Sequence, residues 1–152
     1  MSLEPELAER FLAITHKLWG KEKGDEFHKW IVDNRPPYFH EKLVRVMVPI
    51  WEMDKVDIKT KILCGISAFT ALHRDEVEFF MHMAAYQGIP REEVEEILLL
   101  VGLESGFPNA EHAILILMKV LIIIALEKPV RKIISQNLNK VGSGSQVRWS
   151  PI

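Results

Sequence analysis

Between Asp75 and Gln87 the chain reads DEVEFFMHMAAYQ and sets ionisable groups at helical intervals. On a wheel of ~100° per residue, Asp75, Glu78, His82 and Tyr86 share one face, with Phe79 beside them. Val77, Phe80, Met81 and Ala84 share the other face, which reads as core. Glu78 and His82, four apart, are placed to share a proton or a metal. Two ligands do not make a metal site and no third stands nearby in sequence, so neither a metal nor a cofactor is expected. The polar face has two readings. It is a solvated surface, since charged side chains usually face water, or it is a pocket wall, since two aromatics flanking three ionisable groups suit a subunit interface. Farther along, Glu104 ends an apolar helix. Buried, its pKa would rise and it would become a proton donor; exposed, it is only a helix-end carboxylate. His112, three after Asn109, falls in a helix's first turn, where a surface role is the plainer reading.

The elements that must position these groups are helical throughout. Leu7, Phe11, Ile14 and Leu18 recur at intervals of three and four across Glu4–Trp19. Gly20 and Gly24 are read as bracketing a charged turn, with Asp25 capping a short helix that Asn34 and Pro36–Pro37 end. Tyr38–Trp51 is a third amphipathic segment, which Pro49 would kink or stop. Asp57 caps a helix over Ile58–Leu72 with Ile62, Cys64–Ile66 and Phe69 as core candidates. Asp75 opens the next, which Gly88 closes at a left-handed position. Pro90 and a run of glutamates start another. Its half Ile97–Leu103, apolar all round, is expected to be buried. Gly106 and Pro108 precede a long helix, Asn109–Leu126, and Pro129 allows a last one to about Asn139. No stretch alternates with period two, so the expected fold is all-α, one domain over 1–140. By its Gly and Ser, 141–152 is a flexible tail, or an arm docking Trp149 on a neighbour.

Composition narrows the partners. A formal charge of −2 from 19 basic and 21 acidic residues leaves no field of one sign, so no nucleic acid is expected. The single cysteine excludes an internal disulfide or a Cys-x-x-Cys pair and favours a reducing compartment. The start MSLEPELAER is polar and acidic, unlike a signal peptide. Ala113–Leu126, interrupted by Lys119, falls short of the ~20 residues of a span and reads as a core or interface helix. A cytoplasmic protein with no membrane contact is expected.

Asp57–Ala113 resembles the carboxymuconolactone decarboxylase family, whose fold is alkylhydroperoxidase-like. The likeness is carried by D-x-K-T-K at Asp57–Lys61, by His82 six residues before Gly88, by GIPREEVEEI at Gly88–Ile97 and by GFPNA at Gly106–Ala110. These pieces span a little over a third of the chain. The resemblance implies an all-α helical bundle assembled as a homo-oligomer, trimer or hexamer, with active sites near subunit contacts. The peroxidase branch of that family carries Cys-x-x-Cys-x-x-x-His and an upstream glutamate. Counting back from His82, Asp75 and Glu78 occupy the cysteine positions, and Ile62 stands where the acid belongs. Thiol peroxidase chemistry needs a thiolate and a resolving partner, so it is not expected, and Cys64 reads as a small buried hydrophobe.

The decarboxylase branch needs no cysteine, and resemblance to it implies a lyase that removes CO2 from a small cyclic carboxylic acid. Such a reaction requires a cation for the carboxylate and a general acid to protonate the carbon left behind. Lys61 and His73 supply suitable types. The set assigned to catalysis is His82, Glu78, Asp75 and Glu104, and that assigned to substrate binding is Arg74, Tyr86 and His112. His16, His28 and His40 lie outside the resembling segment and are given no role. The other reading is a non-catalytic helical oligomer that binds a ligand or partner.

Overall fold

The computed structural model describes residues 4–142, with side chains from 4 to 127. Seven helices follow one another: α1 (Pro5–Trp19), α2 (Lys21–Asn34), α3 (Pro37–Glu52), α4 (Ile58–Ala71), α5 (Val77–Tyr86), α6 (Arg91–Ser105) and α7 (Phe107–Gly142). The fold is all-α, with no strand among the described residues. Helix α1 packs on α2, α3 and α5, while α4 packs on α5, α6 and α7, and α7 lies along both α5 and α6. The core runs through the middle of these contacts, from Phe11, Leu18 and Val44 to Ile62, Ile66, Met81, Leu98 and Val120.

Local chemistry explains most boundaries. The Asp57 carboxylate accepts from the Thr60 amide at 2.9 Å and its hydroxyl at 2.6 Å, satisfying the first turn of α4. These bonds hold its pKa below the usual carboxylate range. Gly88, at φ 71°, ends the α5 turn in the left-handed region. The Lys61 ammonium caps α3, reaching the Trp51 carbonyl at 3.2 Å and the Met53 carbonyl. Lys61, which the sequence allowed as a carboxylate-binding cation, thus serves the end of α3.

Five expectations are corrected. Gly20 and Gly24 do not bracket a turn: Gly24 lies inside α2, where an added Cβ would come 2.9 Å from the Thr15 carbonyl carbon. Close approach of α1 and α2 outweighs the helix cost of glycine, about 1 kcal/mol. Asp25 is accordingly no cap but a mid-helix partner of His16 Nε2, at 2.7 Å. Of the kink or stop expected at Pro49, the stop does not occur there, since α3 continues to Glu52. Cys64 is exposed: with Ile62 and Ile66 buried, position 64 falls ~200° round the wheel from both, on the opposite side. The fifth concerns Ile97–Leu103. Only Leu98 and Gly102 of that run are buried, while Leu99, Leu100 and Leu103 are 52%, 53% and 68% exposed. A helix packed along one stripe covers only part of its circumference.

Helix α7 also differs from expectation. Its backbone runs unbroken past Pro129 to Gly142, so there is no separate last helix, and the first two residues of the expected tail are helical. The rest of the expected tail, from 143, lies outside the described residues. By length and composition Phe107–Glu127 reaches the size of a membrane span, with 21 residues and a mean hydropathy of 2.0, against the shorter run read from the sequence. Ala110, Ala113, Leu117 and Val120 face the core, whereas Leu115, Met118, Ile122 and Leu126 are exposed.

Candidate functional site

The polar face of α5 lies along α7 and meets the corner between α1 and α2. Because α7 presents His112, Lys119 and Glu127 at helical spacing, each falls opposite a different member of the α5 set. The set is therefore drawn out along a seam and not gathered at one point. His82, with a side chain 23% exposed, has Nε2 at 4.0 Å from Glu78 Oε1. Lys119 Nζ donates to Glu78 Oε2 at 2.9 Å. At the lower end, Lys23 Nζ donates to Glu127 Oε1 at 2.8 Å, and Glu127 raises the lysine pKa.

His82 lines a pocket of about 180 Å³ with Trp19, Lys23, Ala85, Tyr86, Ile124 and Glu127. Two bonds brace its walls: Trp19 Nε1 donates to the Phe79 carbonyl at 3.1 Å, and Gln87 Nε2 to the Lys17 carbonyl at 2.7 Å. Gly20 completes the corner at φ 82°, where a Cβ would sit 2.7 Å from Tyr86 Cε2. Burial pushes the His82 pKa down, and Lys23 and Lys119 add to that; Glu78 and Glu127 oppose them without cancelling the burial. The imidazole is consequently neutral at pH 7, a proton acceptor at rest. A general acid poised near neutrality would need these influences balanced, and burial prevails.

The remaining assigned residues part company with His82. Asp75, with a side chain 85% exposed, accepts from His112 Nε2 at 3.0 Å and belongs to a separate bay. Arg74 is engaged by Glu76 through two bonds, of 3.0 and 2.6 Å, and Glu76 is pushed down to about 2, first by that hydrogen bond. Glu104 is exposed and lines a groove between α4 and α6 with Cys64, away from the walls of the His82 pocket. The proton-donor role that burial would have supplied is withdrawn. Tyr86 stays at the pocket rim, more than half exposed.

Sequence reasoning missed Trp19, Lys23 and Glu127 as pocket walls and Lys119 as the partner of Glu78. For Lys119 a signal was present: it is the one charge breaking the apolar run Ala113–Leu126. Lys23 and Glu127 carried none, being 104 residues apart in a chain with many charges. Compared with known proteins, the chain matches no family model and no curated protein.

Proposed function

We propose that the protein is a carboxymuconolactone decarboxylase-like lyase, acting on a small carboxylic acid in the His82 pocket of an alkylhydroperoxidase-type helical bundle. One observation carries the reading: a partly enclosed imidazole, neutral at rest, faces a small cavity walled by aromatic and aliphatic side chains and one lysine–glutamate pair. In this reading His82, neutral at rest, takes up a proton with the bound acid and delivers it to the carbon that CO2 leaves; Glu78, 4.0 Å from its Nε2, favours the charged ring in between, Tyr86 covers the ligand and Lys23 draws its carboxylate. The assembly is a cytoplasmic homo-oligomer, trimer or hexamer, in which the exposed leucines of α6 and the outer face of α7 are covered by neighbouring copies. Light scattering on Leu103→Glu and Leu115→Glu variants tests the assembly: they should shift toward the 17.5 kDa monomer.

The non-catalytic reading has its own support. Lys23 is already matched by Glu127 at 2.8 Å, so the pocket offers a carboxylate no unmatched cation. His82→Gln separates the two. On the catalytic reading, decarboxylation of a small cyclic acid disappears while the melting temperature and the oligomer persist. Ligand binding that persists in the wild type without turnover of any acid would favour the binding module.

A further inference from the structure

A second polar cluster stands apart from the His82 pocket. A bay of about 870 Å³ opens between the end of α2, the turn preceding α5 and the first turns of α7. In it His73 and His112 stack, their ring centroids 4.1 Å apart and their planes 24° from parallel. Their partners determine where each ring carries its hydrogen. Asn109 Nδ2 donates to the Ala71 and Ser105 carbonyls at 3.2 and 3.1 Å, which leaves its Oδ1 facing His73 Nδ1 at 3.1 Å. An amide oxygen only accepts, so His73 donates from Nδ1. The Asp75 carboxylate likewise accepts from His112 Nε2. In the neutral rings, His73 Nε2 and His112 Nδ1 are therefore bare lone pairs, and neither is a buried atom lacking a partner.

The backbone points to the same place. His73, at φ 53°, is the one non-glycine residue with positive φ among the described residues. A glycine or asparagine would suit that turn with less strain, yet a histidine occupies it and lays its ring on His112.

The geometry also indicates what the pair can hold. Two stacked imidazoles alone do not make a metal site, and no group of three or more His, Cys, Asp or Glu placed to hold a metal occurs among the described residues. A proton suits the arrangement. The first turns one lone pair into a donor, while a second would set two cations face to face at 4.1 Å. Among the surrounding charges, Arg74 is matched by Glu76 and Glu78 by Lys119, while Asp75 takes a hydrogen bond from His112 that becomes an ion pair when that ring is protonated. Arg35 is the exception, lying 4.8 Å over the Trp30 ring with no carboxylate partner among the described residues. Trp30 and Phe79 supply flat apolar walls beside it, their rings 6.1 Å apart.

We propose that this bay binds a small aromatic carboxylate together with one proton, the anion held by Arg35 and the His73–His112 pair and its ring laid beside Trp30 and Phe79. The site does not depend on the His82 reading. Titration calorimetry of the full chain with benzoate, in two buffers of different ionisation enthalpy, reads the proton directly. The expected result is about one proton taken up per benzoate, with affinity falling by up to about tenfold per pH unit on the alkaline side. His112→Gln and His73→Asn, the latter compatible with the left-handed turn, should each abolish the uptake and weaken binding by about tenfold or more. Cys64→Ser, in the groove between α4 and α6, should change neither. Imidazole ¹⁵N spectra of the wild type provide a reading independent of any variant: benzoate should move the His73 and His112 resonances. Absence of binding, binding without proton uptake, or binding lost in His82→Gln but kept in the bay variants would each overturn the proposal.

Discussion

Of the corners that turn through positive φ, two beside the cavities do so with opposite materials. At the α1–α2 corner the residue is Gly20, at φ 82°; before α5 it is His73, at φ 53°. Gly20 shapes the His82 pocket by what it lacks, since its missing side chain lets the Tyr86 ring close over the corner. His73 shapes the open bay by what it carries, an imidazole stacked on His112 and bonded to Asn109. The first corner adopts its geometry without steric cost. The second stores strain of order 1 kcal/mol and holds it through side-chain partners. Enclosure and lowered basicity go with the first corner, and exposed, partner-oriented imidazoles with the second.

The largest test of that contrast is Gly20→Val. It adds a β-branched side chain at positive φ and drives a Cβ into the Tyr86 ring, so it should cost about 2–4 kcal/mol in chemical denaturation and disrupt the His82 pocket. A loss below about 0.5 kcal/mol would mean that the corner relaxes freely.

Acid should come next. Burial lowers the pKa of His82, and burial followed by His28 lowers that of His40, both from an ordinary 6.5. Below pH 6.5 the unfolded chain thus binds protons that the folded chain resists, so ν_U exceeds ν_N and stability falls as the pH drops from 6.5 toward the lowered values. His40 Nε2 is buried without a hydrogen-bond partner beside Phe11 and His28. His40→Leu should retain the fold at pH 7.5 and lessen the loss of urea midpoint between about pH 7.5 and 5. An unchanged pH dependence would place the acid sensitivity elsewhere.

His73→Gly sharpens the other side of the comparison. Relief of backbone strain and the larger chain entropy of glycine oppose each other, so the net change in stability should stay within about 1 kcal/mol. A large destabilisation would show that the imidazole stack, and not the turn, holds α5 to α7. The smallest effect is expected from Lys119→Met. Lys119 lowers the His82 pKa, so its removal should raise that pKa slightly in an NMR titration, with little change in melting temperature. A shift in the opposite direction would contradict the arrangement of Glu78 between Lys119 and His82.

Much of the helical framework was legible because its signals are local. Asp57 with Thr60, Pro36–Pro37, Gly88 and Gly106 each act on the turn in which they stand, and the spacing of Leu7, Phe11, Ile14 and Leu18 names a buried face that the structure keeps. The candidate site was legible only in part. The wheel put Asp75, Glu78, His82 and Tyr86 on one face, but α5 begins only at Val77, which leaves Asp75 in the preceding turn, and the wheel could not say that α7 would bring His112 to Asp75, Lys119 to Glu78 and Glu127 to the His82 pocket.

By itself the sequence determined the all-helical class, the positions of most helix ends and the absence of a second cysteine to partner Cys64. Those properties depend on backbone chemistry within a turn or two and on residue identity. Only the tertiary structure decided that Gly24 belongs inside a helix, that Cys64 faces outward and that Leu99, Leu100 and Leu103 stay uncovered in the single chain. It also decided that Asp75 and His82 serve different cavities. Each of these turns on which stripe of a helix meets a neighbour, and that depends on the relative placement of segments up to a hundred residues apart, such as Lys23 and Glu127. Periodicity names the faces of a helix, but it does not name their partners.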